Sequence, residues 1–486
     1  MGLIIGMGNT KPEFAYDFYY GIEWDTTVSN PVPTRIGKAE LHAELPVQSL
    51  IRRCVLKTDG TVNYYLNAND STKRDNGAAA NLSGADGQVM VELPECYARF
   101  EMDGTKRRAL ISTQELPGFH KWNKAYISAY EATVQRSTNT LMSVVNTGAD
   151  YRGGNNTSGW DETNKTLLGR PATNISLTNF RAYARQGRST EWNCNVYQLH
   201  KELWWFFAIE YCNFNSQASF NAALDANGYH QGGLGAGVTT LNSSKWSTWN
   251  GNNPFVPCGT TNSLGNHTGC VDYTLEAGGY DTNATVVSVP SYRGVENPFG
   301  HIWKWTDGCL CNIQSEAAGG VSMFYVCDNP ANFASSISAN YDYRGDLPRS
   351  NGYVKEVILG EYGEIMPLSI GGGSTTYFCD NFYTDIPSSG SATRGVLFGG
   401  DAYTDADAGF VCSYTNYTPT YANANIGSQR CLSKIYNLAS KETLPQKRRN
   451  VRRMTWIKPG AKNFIRKTVL VGETRKVLLY KQSEET

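Results

Sequence analysis

Apolar and polar residues alternate through the first 120 positions. Val62-Asn63-Tyr64-Tyr65-Leu66 and Gln88-Val89-Met90-Val91-Glu92-Leu93 carry the period-two pattern and the β-branched and aromatic content of strands. Thr58-Asp59-Gly60 and Met102-Asp103-Gly104 supply turn residues. Residues 67–87, rich in Gly, Ala, Asn and Asp, predict a polar loop between the two strands. Residues 1–120 therefore read as a small β-rich domain without visible chemistry.

The period then changes. Trp122, Tyr126 and Tyr130 alternate, a Gly/Asn stretch follows at 152–159, and two helices come next. Ser176 has the chemistry of an N-cap, with Leu177, Phe180, Tyr183 and Ala184 at helical spacing behind it. The second helix is predicted over 196–211, where Val196, Leu199, Leu203, Phe206, Phe207 and Glu210 recur at intervals of three and four. Trp204 and Trp205 widen its apolar surface beyond one stripe, so it should be covered on most sides. Beyond it, short strands alternate with Gly-, Asn- and Ser-rich loops to about residue 434, and loops of such length are uncommon unless functional. Residues 121–434 form an α+β section with two helices and long loops. In the last section, 435–486, residues 468–480 alternate as a hairpin with Gly472 at its turn.

Composition narrows the function classes. The 486 residues hold 40% hydrophobic and 12% aromatic side chains, which excludes general disorder, and 44 Lys+Arg balance 44 Asp+Glu. A neutral chain is a poor whole-protein nucleic-acid or anionic-membrane binder. The balance is uneven, however. Residues 441–486 hold 13 Lys+Arg against 4 Asp+Glu, so this tail carries +9 and the rest −9. Its densest run is Lys447-Arg448-Arg449-Asn450-Val451-Arg452-Arg453, a solvated face or a docking tail for an acidic surface of its own assembly. No run approaches the ~18 apolar residues of a membrane-crossing helix, and Met1 to Lys11 lacks a basic, long-apolar leader pattern. The expectation is a chain made in a cytosol, without membrane insertion.

Catalytic and metal patterns are weak. The 12 cysteines contain no Cys-x-x-Cys, and the Cys309-x-Cys311 pair would share one strand face, so buried free thiols are expected. Gly232-Gly233-Leu234-Gly235-Ala236-Gly237 lacks the Lys-Ser/Thr of a phosphate loop and predicts a packed turn. His120, His200, His230, His267 and His301 have no Gly-x-Ser-x-Gly partner. Asp307, Asp328, Asp380 and Asp401 could serve a depolymerase only if two of them face each other. No enzymatic activity is expected.

Three motifs stand in order: Asn297-Pro298-Phe299-Gly300-His301-Ile302-Trp303-Lys304-Trp305-Thr306-Asp307-Gly308, then Arg394-Gly395-Val396-Leu397-Phe398-Gly399-Gly400, then Asn425-Ile426-Gly427-Ser428-Gln429-Arg430-Cys431. The trio resembles the formylglycine-generating-enzyme branch of the C-type-lectin-like fold. That branch's reactive enzymes need a closely spaced cysteine pair, whereas Cys412 and Cys431 stand apart. Ala408-Gly409-Phe410-Val411-Cys412-Ser413-Tyr414-Thr415-Asn416-Tyr417-Thr418-Pro419 is closer to the variable region of proteins diversified by retroelements, in particular receptor-binding tail proteins of phages. Tyr19-Tyr20-Gly21-Ile22-Glu23-Trp24-Asp25 and Leu45-Pro46-Val47-Gln48-Ser49 resemble the start of such proteins. The resemblance covers nearly all of 1–434 and none of 435–486.

The resemblance implies a C-type-lectin-like receptor-binding domain over 121–434, preceded by a virion-attachment domain and followed by the basic extension. It implies a virion tail location, a homotrimer, contacts with other phage tail or virion proteins, and a bacterial surface protein or glycan as receptor. It leaves room for one structural calcium near Asn297 and Asp307 and implies no other cofactor. The alternative is a collar or head-decoration protein without receptor binding, to which the basic tail lends weight. Composition supports a binding face on its own terms. Residues 401–425 are dominated by Tyr, Asn, Asp, Thr, Ser and Ala. Tyrosine offers large contact area at low entropic cost and the small polar residues offer adaptable hydrogen bonds, as in antibody paratopes. The expected contact residues are Asp401, Tyr403, Asp405, Asp407, Tyr414, Asn416, Tyr417, Tyr421, Asn423 and Asn425, with Ala402, Ala406, Ala408, Ala422 and Ala424 turned inward. Phe398, Val411, Ile426, Trp303 and Trp305 are expected as core beneath them.

Overall fold

The computed structural model describes residues 16–163, 165–241, 243–275, 284–433 and the strands Ile465–Val471 and Thr474–Tyr480. It divides into two units, residues 1–438 and 439–486. In the second, those two strands pair antiparallel from Ile465↔Tyr480 to Val471↔Thr474, in keeping with the alternation of residues 468–480. The Lys447-to-Arg453 run lies outside the described residues.

Strands predominate in the first unit. Its described helices are α1 (Ala39–Glu44), α2 (Leu177–Arg185), α3 (Tyr197–Tyr211) and α4 (Ser243–Asn250). Only α2 and α3 were expected. The other two are at most eight residues long, too short for a helical period to register. The Ser176 side chain caps α2 by accepting the Asn179 N–H at 3.2 Å. Replacing it with alanine leaves that donor without its partner. We expect Ser176→Ala to lower unfolding free energy by about 1 kcal/mol in a denaturant titration, without changing the far-UV spectrum.

Helix α3 is the hub. Every residue from Tyr197 to Tyr211 is buried except Gln198, as its two-sided apolar surface predicted. Its buried charged and imidazole groups have partners: Lys201 Nζ lies 3.4 Å from Glu364, His200 Nε2 is 2.7 Å from the Phe410 carbonyl, Glu202 accepts from Gln198 at 2.9 Å, and Glu210 pairs with Arg293. The main core joins Tyr20, Val47, Val89 and Ile127 through α3 to Phe398 and Phe410. No described helix is long and apolar enough to cross a membrane.

Two sheets pack on this helix, one through Trp24 and Trp122 against Trp205 and Phe206, the other through Phe398 and Phe410 against His200 and Phe207. One has five strands in the order Thr34–Gly37, Tyr20–Asp25, Lys106–Ser112, Cys96–Asp103, His120–Trp122. The other has sixteen among the described residues. Within it Gln88–Leu93 pairs with Ala125–Ser128, so residues on both sides of the boundary expected near 120 share one sheet. The loop expected over 67–87 contains a further strand, Asp70–Arg74. Its polar composition, DSTKR, suits the sheet edge where it lies, and this hid it from an apolar pattern search. At the centre of the larger sheet, Trp303–Gln314 runs between Ser391–Gly399 and Trp192–Val196, antiparallel to the first and parallel to the second. All described cysteines are free, and all but the half-buried Cys270 are buried.

Candidate functional site

The segment predicted as a binding face is a loop system projected from this central part of the sheet. The chain leaves Ser391–Gly399, runs through a short 3-10 turn at Asp405–Asp407, and returns along Gly409–Tyr414, which pairs antiparallel with the strand it left. It then loops out over 415–425 and re-enters as Ile426–Gly427, parallel to Trp303 and Lys304. The motif glycines permit close approach. A Cβ on Gly395 would lie 2.7 Å from the Trp305 ring, and one on Gly409 would lie 2.0 Å from a carboxylate oxygen of Asp380.

Main-chain hydrogen bonds hold the outer loop. The N–H groups of Gly395, Thr178, Asn174 and Trp303 donate to the carbonyls of Tyr417, Pro419, Asn423 and Asn425 at 2.9–3.2 Å. These come from three separate parts of the scaffold and use no loop side chain. Under the loop lies a second core of Leu177, Phe180, Trp303, Trp305, Leu397, Cys412 and Ile426. Tyr383, Tyr414, Tyr417 and Tyr421 pack on it, half-buried. Their rings form a row. Trp303 and Tyr414 centroids are 5.4 Å apart, Tyr414 and Tyr417 5.0 Å, and Tyr417 and Tyr421 3.8 Å with 16° between planes. Tyr403 is 47% exposed, with its ring 5.9 Å from Trp246. Asp405 and Asn423 are exposed and Asn416 is half-buried; Asn423 donates to the Tyr421 hydroxyl at 3.2 Å.

Three of the ten predicted contact residues do other work. Asp401 is buried, not outward. Its carboxylate accepts from the Thr404 hydroxyl at 2.6 Å and from Asn425 Nδ2 at 2.9 Å, which ties the start of the segment to its end. An unpaired carboxylate would not survive burial there, so Asn425 is consumed by the same bond. Asp407 Oδ2 accepts from the Tyr383 hydroxyl at 2.5 Å and from Asn381 Nδ2 at 2.9 Å, pinning the 3-10 turn to the strand Asn381–Tyr383. Tyr383 was missed by sequence reasoning. A single tyrosine in Asn381-Phe382-Tyr383 carries no local signal, and only the parallel pairing of its strand with Gly409–Tyr414 places it in the row. Of the alanines, Ala402 and Ala408 are fully buried as expected, Ala422 and Ala424 are half-buried, and Ala406 is exposed.

Asp380 sits beneath Gly409, where the Val411 N–H donates to it at 2.8 Å. Burial pushes its carboxyl well above the ordinary 3.8, only partly offset by backbone donors at Val411 and Cys412. A raised carboxylate favours the protonated folded state. Its contribution is complete below the unfolded value of 3.8 and is lost as pH rises through the folded value. We expect Asp380→Asn, which keeps the shape and removes the titration, to flatten the fall in unfolding free energy seen as pH rises from about 4.

Near the expected calcium position, the Asp307 carboxylate is already taken up by other partners. Both Asp307 oxygens accept from the buried Arg181 guanidinium, at 2.6 and 2.8 Å, and one also accepts the Gly308 N–H. No group of three or more His, Cys, Asp or Glu among the described residues could hold a metal. His301 and Lys304 both contact Glu131, His301 through Nδ1, while its Nε2 accepts the N–H groups of Phe255 and Val256. All three side chains are fully enclosed and brace the first motif from inside.

No protein-family model and no curated protein matches the sequence. Among solved structures, the chain is similar to the Major Tropism Determinant U1 variant, with 11% identity over 79% of each chain and a TM-score of 0.24. It is also similar to the M1 variant, with 11% identity over 82% of this chain and 88% of that one and a TM-score of 0.20. Values this low do not establish a shared fold.

Proposed function

We propose that the protein is a non-enzymatic receptor-binding protein of a phage tail. In this reading a C-type-lectin-like scaffold displays residues 403–423 toward a bacterial surface protein or glycan. The observation that carries it is the division of labour in the outer loop. Backbone bonds and a buried core fix its course, while Tyr403, Asp405, Tyr414, Asn416, Tyr417, Tyr421 and Asn423 supply the outer surface. Outward side chains of such a loop, unlike the pinning Asp401, Asp407 and Asn425 and the packed Tyr414, are exchangeable without loss of the fold, which suits a face that must follow a changing partner. Tyrosine-rich, amide-rich surfaces bind through rigid aromatic area edged by adaptable hydrogen bonds. A homotrimer on the virion would multiply weak single-site contacts through effective concentration.

The direct test is adsorption. Fluorescently labelled full-length protein should bind host cells saturably, and an excess of unlabelled protein should displace it. Protein that is folded yet shows no saturable binding to any strain its phage infects would instead favour a purely structural virion role.

A further inference from the structure

A polar cavity of about 410 Å3 opens elsewhere on the first unit, lined by none of the residues of the tyrosine face. Its floor is the end of α3. Glu210 is fully buried there and accepts from Arg293 Nε at 2.6 Å, from Arg293 Nη2 at 2.8 Å and from the Tyr292 hydroxyl at 2.9 Å. The remaining arm of Arg293 donates to the Gln48 carbonyl at 3.0 Å. The lining thus contains one carboxylate and one guanidinium, each spent on the other. Burial lowers the pKa of His230, so that ring is neutral near pH 7.

That pairing decides the class of ligand. A cation would need a carboxylate that Arg293 already holds, and an anion would need a guanidinium that Glu210 already holds. A wholly apolar ligand would strip water from the polar wall without replacing its hydrogen bonds. The rest of the lining is amide, imidazole, hydroxyl and ring, with the Ala222 methyl. Asn266 Oδ1 accepts the Arg53 N–H at 2.8 Å, which fixes the amide and leaves its NH2 to donate. Asn221 is exposed at the rim. His267 is hydrogen-bonded through Nε2 to Asn69 Oδ1 at 2.7 Å, which leaves Nδ1 to accept. Phe220 and the Tyr211–His230 ring pair, with centroids 5.4 Å apart, offer flat apolar area. Donors, acceptors and ring faces without net charge match a polyhydroxylated neutral molecule.

The cavity is also preformed. The segment that leads into the lining residue Phe220 is laced by Gly233 N–H to Ser219, Leu234 N–H to Ser216 and Gly235 N–H to Ala218, the packed glycine turn read from the sequence. Another lining residue, Asn266, is held by its N–H to Ala68 at 2.8 Å. A site with its lining so braced loses little ordering entropy on binding.

The geometry points to a neutral-saccharide site, of one or two sugar rings, distinct from the tyrosine face. The test uses the full-length protein and a panel of neutral hexoses, N-acetylhexosamines and their disaccharides, titrated by calorimetry or ligand-observed NMR. At least one should bind saturably with a millimolar or tighter dissociation constant. Asn221→Ala and His267→Ala, both exposed positions, should each weaken it about tenfold or more, whereas Met102→Ala, exposed on the strand Cys96–Asp103 and part of neither surface, should leave it unchanged. No saturable binding across the panel, binding indifferent to both rim variants, or preference for uronic and sialic acids over neutral sugars would overturn the assignment. Because the readout is sugar binding and not cell adsorption, this result is independent of whether the tyrosine face recognises a host.

Discussion

Protein carrying Tyr403→Ala, Tyr417→Ala and Tyr421→Ala together should bind host cells at least about a hundredfold more weakly than the parent while remaining folded. Aromatic anchors at the centre of an interface each contribute more than about 1 kcal/mol on truncation, and 1.4 kcal/mol is a factor of ten, so three of them carry at least two decades. These three are chosen because the fold depends on them least. Tyr403 is nearly half exposed, and Tyr417 and Tyr421 stack chiefly on each other at the outer end of the row. The loop backbone should keep its course, since its anchoring bonds come from Gly395, Thr178, Asn174 and Trp303 N–H groups and ignore side-chain identity. Tyr414→Ala is the contrast. It removes a ring lying between Trp303 and Tyr417 and should lower stability as well as binding. Adsorption is measured beside a denaturation curve for each variant. A triple variant that adsorbs like the parent removes the tyrosine face from consideration as the receptor site.

The largest stability effect should come from Asp307→Ala. Arg181 on α2 reaches across to Asp307 on the central strand in a bidentate pair, and both side chains are at most 9% exposed. The alanine variant leaves a buried guanidinium with only the Ser335 hydroxyl and the Ala334 carbonyl as partners. Stranding one member of a buried ion pair costs about 3–5 kcal/mol, whereas replacing both by apolar residues of similar volume is often near neutral. The double variant Arg181→Met/Asp307→Leu should therefore be more stable than Asp307→Ala, as read by equilibrium unfolding in urea. Equal losses in the two variants would mean that strand packing, and not the unpaired charge, sets the cost. The pair matters for the face because α2 also supplies Thr178, whose N–H holds Pro419.

Much of this was legible in the chain. A serine before an apolar period gave the start of α2, and a helix apolar on two sides gave the buried hub α3, because both signals are local. The strand Gln88–Leu93 has the predicted bounds, although it is buried along its whole length and not on alternate residues. Other features left no local trace. The edge strand Asp70–Arg74 is polar because an edge must discourage further pairing, so it looks like loop. The continuity of one sheet across residue 120 depends on pairing between strands whose sequences carry no address for one another.

The residue types of the segment were set by the sequence, since tyrosine and small amides have the same physical uses wherever they occur. Which of those residues look outward was decided by tertiary structure. Asp401 and Asn425 are as polar as Asp405 and Asn423, yet the fold buries Asp401 against a half-buried Asn425 that donates to it and leaves the last two at the surface. A polar side chain accepts water and a buried partner almost equally well, so sequence cannot choose between them, and only the three-dimensional course of the chain supplies the partner.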